Sequence, residues 1–167
     1  MLVFGIDPGS NATGYAAVRR QRGRYFLLEA GVIRTHTKAP VPQRLLKIHL
    51  GLKEALQRLE PDCVAIEAIF RHKSSESALR LGQARGVALL AAAEAGLDVT
   101  PYNPMTVKKT VGGHGRASKK EMIMLVSRLV GATRDLPSDA ADATAIAITH
   151  INSAALQSRL QRQGDGR

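Results

Sequence analysis

The chain has 167 residues, 24 Lys and Arg against 14 Asp and Glu, and a net charge of +10, so one domain with a core of its own and a preference for polyanions is expected. A single cysteine, Cys63, excludes an internal disulfide and a Cys/His zinc cluster. No run of about 18 apolar residues occurs and the start Met1-Leu2-Val3-Phe4-Gly5 lacks a basic leader segment, so neither a membrane span nor a signal peptide is expected and a reduced, cytoplasmic setting fits.

Residues 2–6 form an apolar run that stops at Asp7-Pro8-Gly9-Ser10, a strand entering a turn. Residues 14–19 and 25–34 read as two further strands around the arginine-rich turn Arg20-Gln21-Arg22-Gly23-Arg24. Pro40 and Pro42 open a helix that places Leu45, Ile48, Leu52, Ala55 and Leu59 on one face, and Pro61-Asp62 ends it. Cys63-Val64-Ala65-Ile66-Glu67 is a continuous apolar run closed by an acid, the pattern of a buried parallel strand. An Ala-rich helix is predicted from about Ser75 to Ala95, with Gly96 at its C-terminal cap, and Leu97 to Tyr102 is a short strand. Ser118-Lys119-Lys120-Glu121 is a capping box ahead of a stripe of Met122, Leu125, Val126, Leu129 and Val130. A last helix starts near Ser138 and runs through Ile146 and His150, and the polar residues 157–167 are expected to fray. A meander of strands followed by alternating strands and helices predicts an α/β domain, a mixed sheet covered by helices.

Four acids stand out. Asp7 and Glu67 end predicted strands, at the sheet edge where open α/β sheets bind ligands. Asp7-Pro8-Gly9 is also an ordinary turn sequence. Glu67 interrupts an apolar stretch, and a buried carboxylate needs either a basic partner or a cation. Asp139 and Asp142 sit one turn apart on one face of the last helix, where acids also serve as caps. Taken together, four carboxylates on three elements of a basic protein would repel one another unless cations compensate them. Two divalent ions would do so, and all-oxygen ligands favour Mg²⁺ or Mn²⁺. With three Tyr, three Phe and no Trp, the basic surface does not read as a stacking platform for single strands.

Four stretches carry a resemblance to a known family. They are Gly5-Ile6-Asp7-Pro8-Gly9-Ser10 with Thr13-Gly14-Tyr15, Ile66-Glu67 with Phe70, Ser77 to Gly86, and Asp139-Ala140-Ala141-Asp142-Ala143 with Ala145-Ile146-Ala147. In this order the chain resembles the RuvC-type Holliday-junction resolvases of the RNase H-like nuclease superfamily, over residues 2 to about 152. The resemblance implies an RNase H-like mixed five-stranded sheet flanked by helices, with a nuclease domain over 1–152 and a polar, basic tail over 153–167. It implies a bacterial, cytoplasmic endonuclease that resolves four-way junction DNA by paired symmetric nicks. It puts two Mg²⁺ or Mn²⁺ ions per active site on Asp7, Glu67, Asp139 and Asp142. It assigns Lys108 and Lys119 to DNA near the scissile phosphate and Phe70 to stacking at the junction. In the glycine-rich segment Gly112-Gly113-His114-Gly115-Arg116 it implies a DNA-contacting element, with His114 a solvent or DNA contact. Arg116 and Lys120 are further basic groups beyond the family pattern. The resemblance also implies a homodimer joined through the Ala-rich helix, whose Ala78, Gly82, Gly86 and Ala93 permit close approach, and a branch-migration complex as partner. Two other functions share part of this pattern. Nucleotide phosphotransferases share the opening Gly-Ile-Asp, but their architecture closes two such domains and 167 residues supply one. A non-catalytic junction-binding module predicts a missing acid.

Overall fold

The computed structural model describes residues 1–68, 74–113 and 115–164. Strands β1 (Leu2–Asp7), β2 (Ala12–Gln21), β3 (Arg24–Arg34), β4 (Cys63–Glu67) and β5 (Val99–Tyr102) form one sheet in the order β3-β2-β1-β4-β5. The meander β1-β2-β3 is antiparallel, and β4 and β5 add in parallel to β1. Helices α1 (Val41–Leu59) and α2 (Ser75–Glu94) cover one face of the sheet. Helices α3 (Pro104–Gly112), α4 (Lys119–Leu129) and α5 (Ser138–Gly164) cover the other.

Side-chain alternation along the strands divides the core into two layers. Leu2, Phe4 and Ile6 of β1, with Val64 and Ile66 of β4, pack against Ile48, Leu52 and Leu56 of α1 and Ala84 and Ala88 of α2. The intervening Val3 and Ala65 join Ala143, Ile146 and Ala147 of α5. Asp7 and Glu67 continue this second set, so the period of two aims both acids toward the α5 side.

α5 lies on the sheet at backbone distance. A Cβ at Gly5 would meet the Ala143 carbonyl oxygen at 2.0 Å, and one at Gly14 would meet that of Asp139 at 2.0 Å. Gly14 is also the residue paired with Asp7 across the β1–β2 ladder. The small residues Ala140, Ala143 and Ala147 are fully buried in this contact layer. Ala140 and Ala143 are small enough for the helix backbone to reach Gly14 and Gly5.

β2 spans Ala12–Gln21 and β3 begins at Arg24, so the arginine-rich turn shrinks to Arg22-Gly23, and further elements differ from the sequence reading. α3 has no counterpart in it: Asn103 caps the helix by accepting a hydrogen bond from the Met105 amide at 2.8 Å, and Pro104 occupies the first turn. β5 begins at Val99 rather than Leu97. α5 continues through residues 153–164 without a break, because neither Gly nor Pro interrupts it between Ser138 and Gly164. The capping box at Ser118 and Glu121 is present, with both reciprocal hydrogen bonds. Among the described residues no helix is long and apolar enough to cross a membrane.

Candidate active site

A cleft of about 230 Å³ opens at the carboxyl edge of β1 and β4. Its walls include Asp7, Glu67 and Asp142, the basic side chains Lys108 and Lys119, and the apolar side chains Val107, Met122 and Ile146. The strands supply Asp7 and Glu67 from rigid ends. α5 supplies Asp142 because Gly5 and Gly14 let its first turns reach the sheet. α3 and the start of α4 supply the two lysines.

The electrostatics of the cleft are those of crowded carboxyl groups. Burial, followed by the charges of Glu67 and Asp142, pushes the Asp7 carboxyl up to about 8, and Asp7 shares a side-chain hydrogen bond with Glu67. Asp139 is half-buried and does not line the cleft, yet its charge raises Asp7 and Asp142 further. Burial also raises Asp142, against the pull of Lys119, whose Nζ lies 3.4 Å from Asp142 Oδ2. Lys108 pulls Asp142 in the same direction as Lys119. Such an all-oxygen donor set fits hard divalent cations, which offset the repulsion that raises Asp7. The carboxyl groups border an open cleft instead of a closed cage: among the described residues, no three His, Cys, Asp or Glu side chains converge on a single-ion site.

The backbone around the acids is fastened by further side chains. Arg85 of α2 donates from Nε to the Glu67 carbonyl at 3.2 Å, and the Ala68 amide donates to the Tyr102 carbonyl at 2.8 Å. The turn after Asp7 is closed by the buried Thr13 hydroxyl, which donates to the Gly9 carbonyl at 2.8 Å. Arg44 of α1 is 7% exposed and grips the same turn at Ser10 and Asn11. The residues expected at the site therefore separate into groups. Asp7, Glu67, Asp142, Lys108 and Lys119 line one cleft, with Asp139 beside it. Arg116 and Lys120 are exposed and are not among its walls. Phe70 and His114 lie outside the described residues. An asparagine directly before a proline, at 103–104, was the one available signal for the helix that carries Lys108.

A family model described as Crossover junction endodeoxyribonuclease RuvC matches residues 3–150. The Crossover junction endodeoxyribonuclease RuvC of Chloroflexus aggregans is 45% identical over 155 residues, 92% of this chain and 94% of that protein. The protein of the same name from Geobacter sp. (strain M21) is 41% identical over 161 residues, covering 96% and 98%. Among solved structures, T. thermophilus RuvC in complex with Holliday junction substrate matches with a TM-score of 0.89 at 38% identity, over 94% of this chain and 96% of that one. The yeast mitochondrial Holliday junction resolvase Ydc2 shares the fold, with a TM-score of 0.64 at 15% identity over 88% and 76% of the two chains. The RNase H-like five-stranded sheet expected from the sequence is thus the observed architecture.

Proposed function

Because the chain belongs to the RuvC family of crossover junction endodeoxyribonucleases, we propose that it binds four-way junction DNA and hydrolyses one phosphodiester in each of two symmetric strands. The observation that carries this reading is the meeting of Asp7, Glu67 and Asp142 with Lys108 and Lys119 in one cleft. Asp7, Glu67, Asp139 and Asp142 would hold divalent ions, two Mg²⁺ or Mn²⁺ per site, and these would supply Lewis-acid stabilisation of the attacking and departing oxygens. Lys119 exchanges its contact with Asp142 for a DNA phosphate, and Lys108 holds a second one. Val107, Met122 and Ile146 form a dry wall that strengthens each of these charge interactions. Nearby, Arg116 and Lys120 contact the DNA backbone outside the cleft, and Phe70 stacks at the junction.

Symmetric nicking needs two sites, and a two-fold dimer provides them. Leu79 and Leu90 are 63% and 53% exposed on α2. With Gly86, above which there is open space, and exposed Ala93, they form an apolar stripe at helical spacing. A second copy of the chain packing on this stripe would cover it and offset the cost of a mid-helix glycine.

The test is cleavage of a synthetic four-way junction beside duplex and hairpin controls, with and without Mg²⁺ or Mn²⁺. Paired metal-dependent nicks in the junction alone are expected. Equal cleavage of all substrates would discard junction selectivity, and binding without cleavage under either metal would leave a binding module. Affinity should fall about 10³-fold or more between 50 and 200 mM salt if six or more phosphates are neutralised.

A further inference from the structure

The turn that follows Asp7 is held by a buried cation. Arg44 is 7% exposed, and among the described residues it forms no ion pair. Its Nη2 donates to the Ser10 carbonyl at 2.6 Å and to Asn11 Oδ1 at 2.5 Å, and its Nε donates to Thr35 Oγ1 at 3.2 Å. Thr35 completes the clasp, donating from its hydroxyl to the Ser10 carbonyl at 2.7 Å and from its amide to the Asn11 carbonyl at 2.9 Å. Burying a guanidinium among neutral acceptors is costly, so its placement calls for a reason beyond closing a turn.

The reason lies in what Arg44 does to Asn11. A guanidinium has only donors, so the Asn11 atom facing it must be the amide oxygen. The amide nitrogen is then turned away from the protein, and Asn11 is exposed. Asp7 pairs with Gly14 across the ladder, so the turn rises from the same sheet edge as the cleft. Two N–H donors are thereby presented at the sheet edge that carries Asp7, backed by a guanidinium that forms no ion pair among the described residues. That is a site for an anionic oxygen acceptor.

We propose that Asn11 donates to a phosphodiester oxygen of the DNA strand held at Asp7, and that Arg44 is the positioning residue that orients the Asn11 amide for this contact. The proposal rests on the nuclease reading above. The contact exists before and during the reaction, so it acts on KM and leaves kcat alone.

The experiment measures kcat and KM on a synthetic four-way junction, with melting temperatures, for five proteins: the unchanged chain, Asn11→Ala, Asn11→Asp, Arg44→Lys, and Arg44→Lys combined with Asn11→Ala. Asn11→Ala should raise KM about tenfold with kcat within about twofold, as for loss of a hydrogen bond to a charged group. Asn11→Asp should raise KM further, about a hundredfold, by setting a negative charge against the phosphate. It should nevertheless melt no lower than the unchanged chain, since Arg44 gains a carboxylate partner. Arg44→Lys loses the two-point grip, so adding Asn11→Ala to it should cost less than about twofold more in KM. KM values within about twofold of the unchanged chain for both Asn11 variants, or full additivity in the double variant, would overturn the proposal. Absence of junction cleavage by the unchanged chain would overturn the nuclease reading itself.

Discussion

The two faces of the sheet differ in how closely a helix approaches them. Toward α1 and α2 the strands present Leu2, Phe4, Ile6, Val64 and Ile66, large side chains that meet Ile48, Leu52 and Leu56. Toward α5 they present Gly5, Gly14, Ala16 and Ala65 beside Val3 and Val18, against Ala140, Ala143, Ile146 and Ala147. The first face gains stability from area, at about 1.5–3 kcal/mol for each fully buried large side chain. The second adds close approach, at Gly5 and Gly14, to its own large buried side chains. With backbone nearly touching backbone, the position of α5 depends on hard contacts instead of on side chains that can repack. Asp139 and Asp142 ride on that helix, and Asp7 and Glu67 end the strands beneath it. A stabilising face and a positioning face thus share the same five strands.

This division can be tested by separating activity from stability. The largest effect belongs to Asp7→Asn, which leaves both faces packed and removes one carboxylate. Junction cleavage should fall by about 10³-fold or more, while a gel shift with the same junction persists. Loss of the shift together with cleavage would show Asp7 to be structural. Next comes Gly14→Ala, whose methyl would collide with the Asp139 carbonyl. Displacing α5 by even about 1 Å should lower turnover about 10²-fold, with about 1–3 kcal/mol lost in stability from overpacking. Leu52→Ala on the other face should reverse the pattern. It should cost about 2–5 kcal/mol in urea unfolding, with turnover per folded molecule unchanged. If Gly14→Ala cleaves normally, or Leu52→Ala loses turnover at temperatures where it is folded, the two faces are not divided in this way.

The stabilising face was the legible one. Ile48, Leu52 and Ala55 at helical spacing, and the apolar run Cys63 to Ile66, announce themselves by period alone. The acids were legible for a related reason: a charge closing an apolar strand is costly and therefore visible. What was hidden is long-range. Nothing local says that Gly5 and Gly14, nine residues apart, receive the same helix from more than 120 residues away. Arg44 was unremarkable in an Arg- and Lys-rich chain, because its burial depends on Ser10, Asn11 and Thr35 arriving from other elements. The helical continuation of α5 was hidden by composition: polar residues suggested fraying where unbroken helix formers carry the helix to Gly164.

The smallest effect predicted concerns what the positioning face costs. Burial first, then Glu67, Asp142 and Asp139, hold the Asp7 carboxyl at about 8, against an ordinary value of 3.8. Between about pH 4 and 8 the folded chain therefore keeps a proton that the unfolded chain has released. Stability must fall as pH rises through that window and level off above it. Dialysed against a chelator, the protein should melt at progressively lower temperature from pH 5 to pH 8. Asp7→Asn removes the titrating group, so its profile should be flatter, and at pH 8 it should be more stable than the unchanged chain by about 1–2 kcal/mol. Adding Mg²⁺ or Mn²⁺ should raise the melting temperature of the unchanged chain at pH 8 more than at pH 5, since cation and proton compete for the same carboxyls. Parallel melting profiles for the two proteins would mean that the crowding of the acids is relieved within the protein, and that the positioning face carries no such cost.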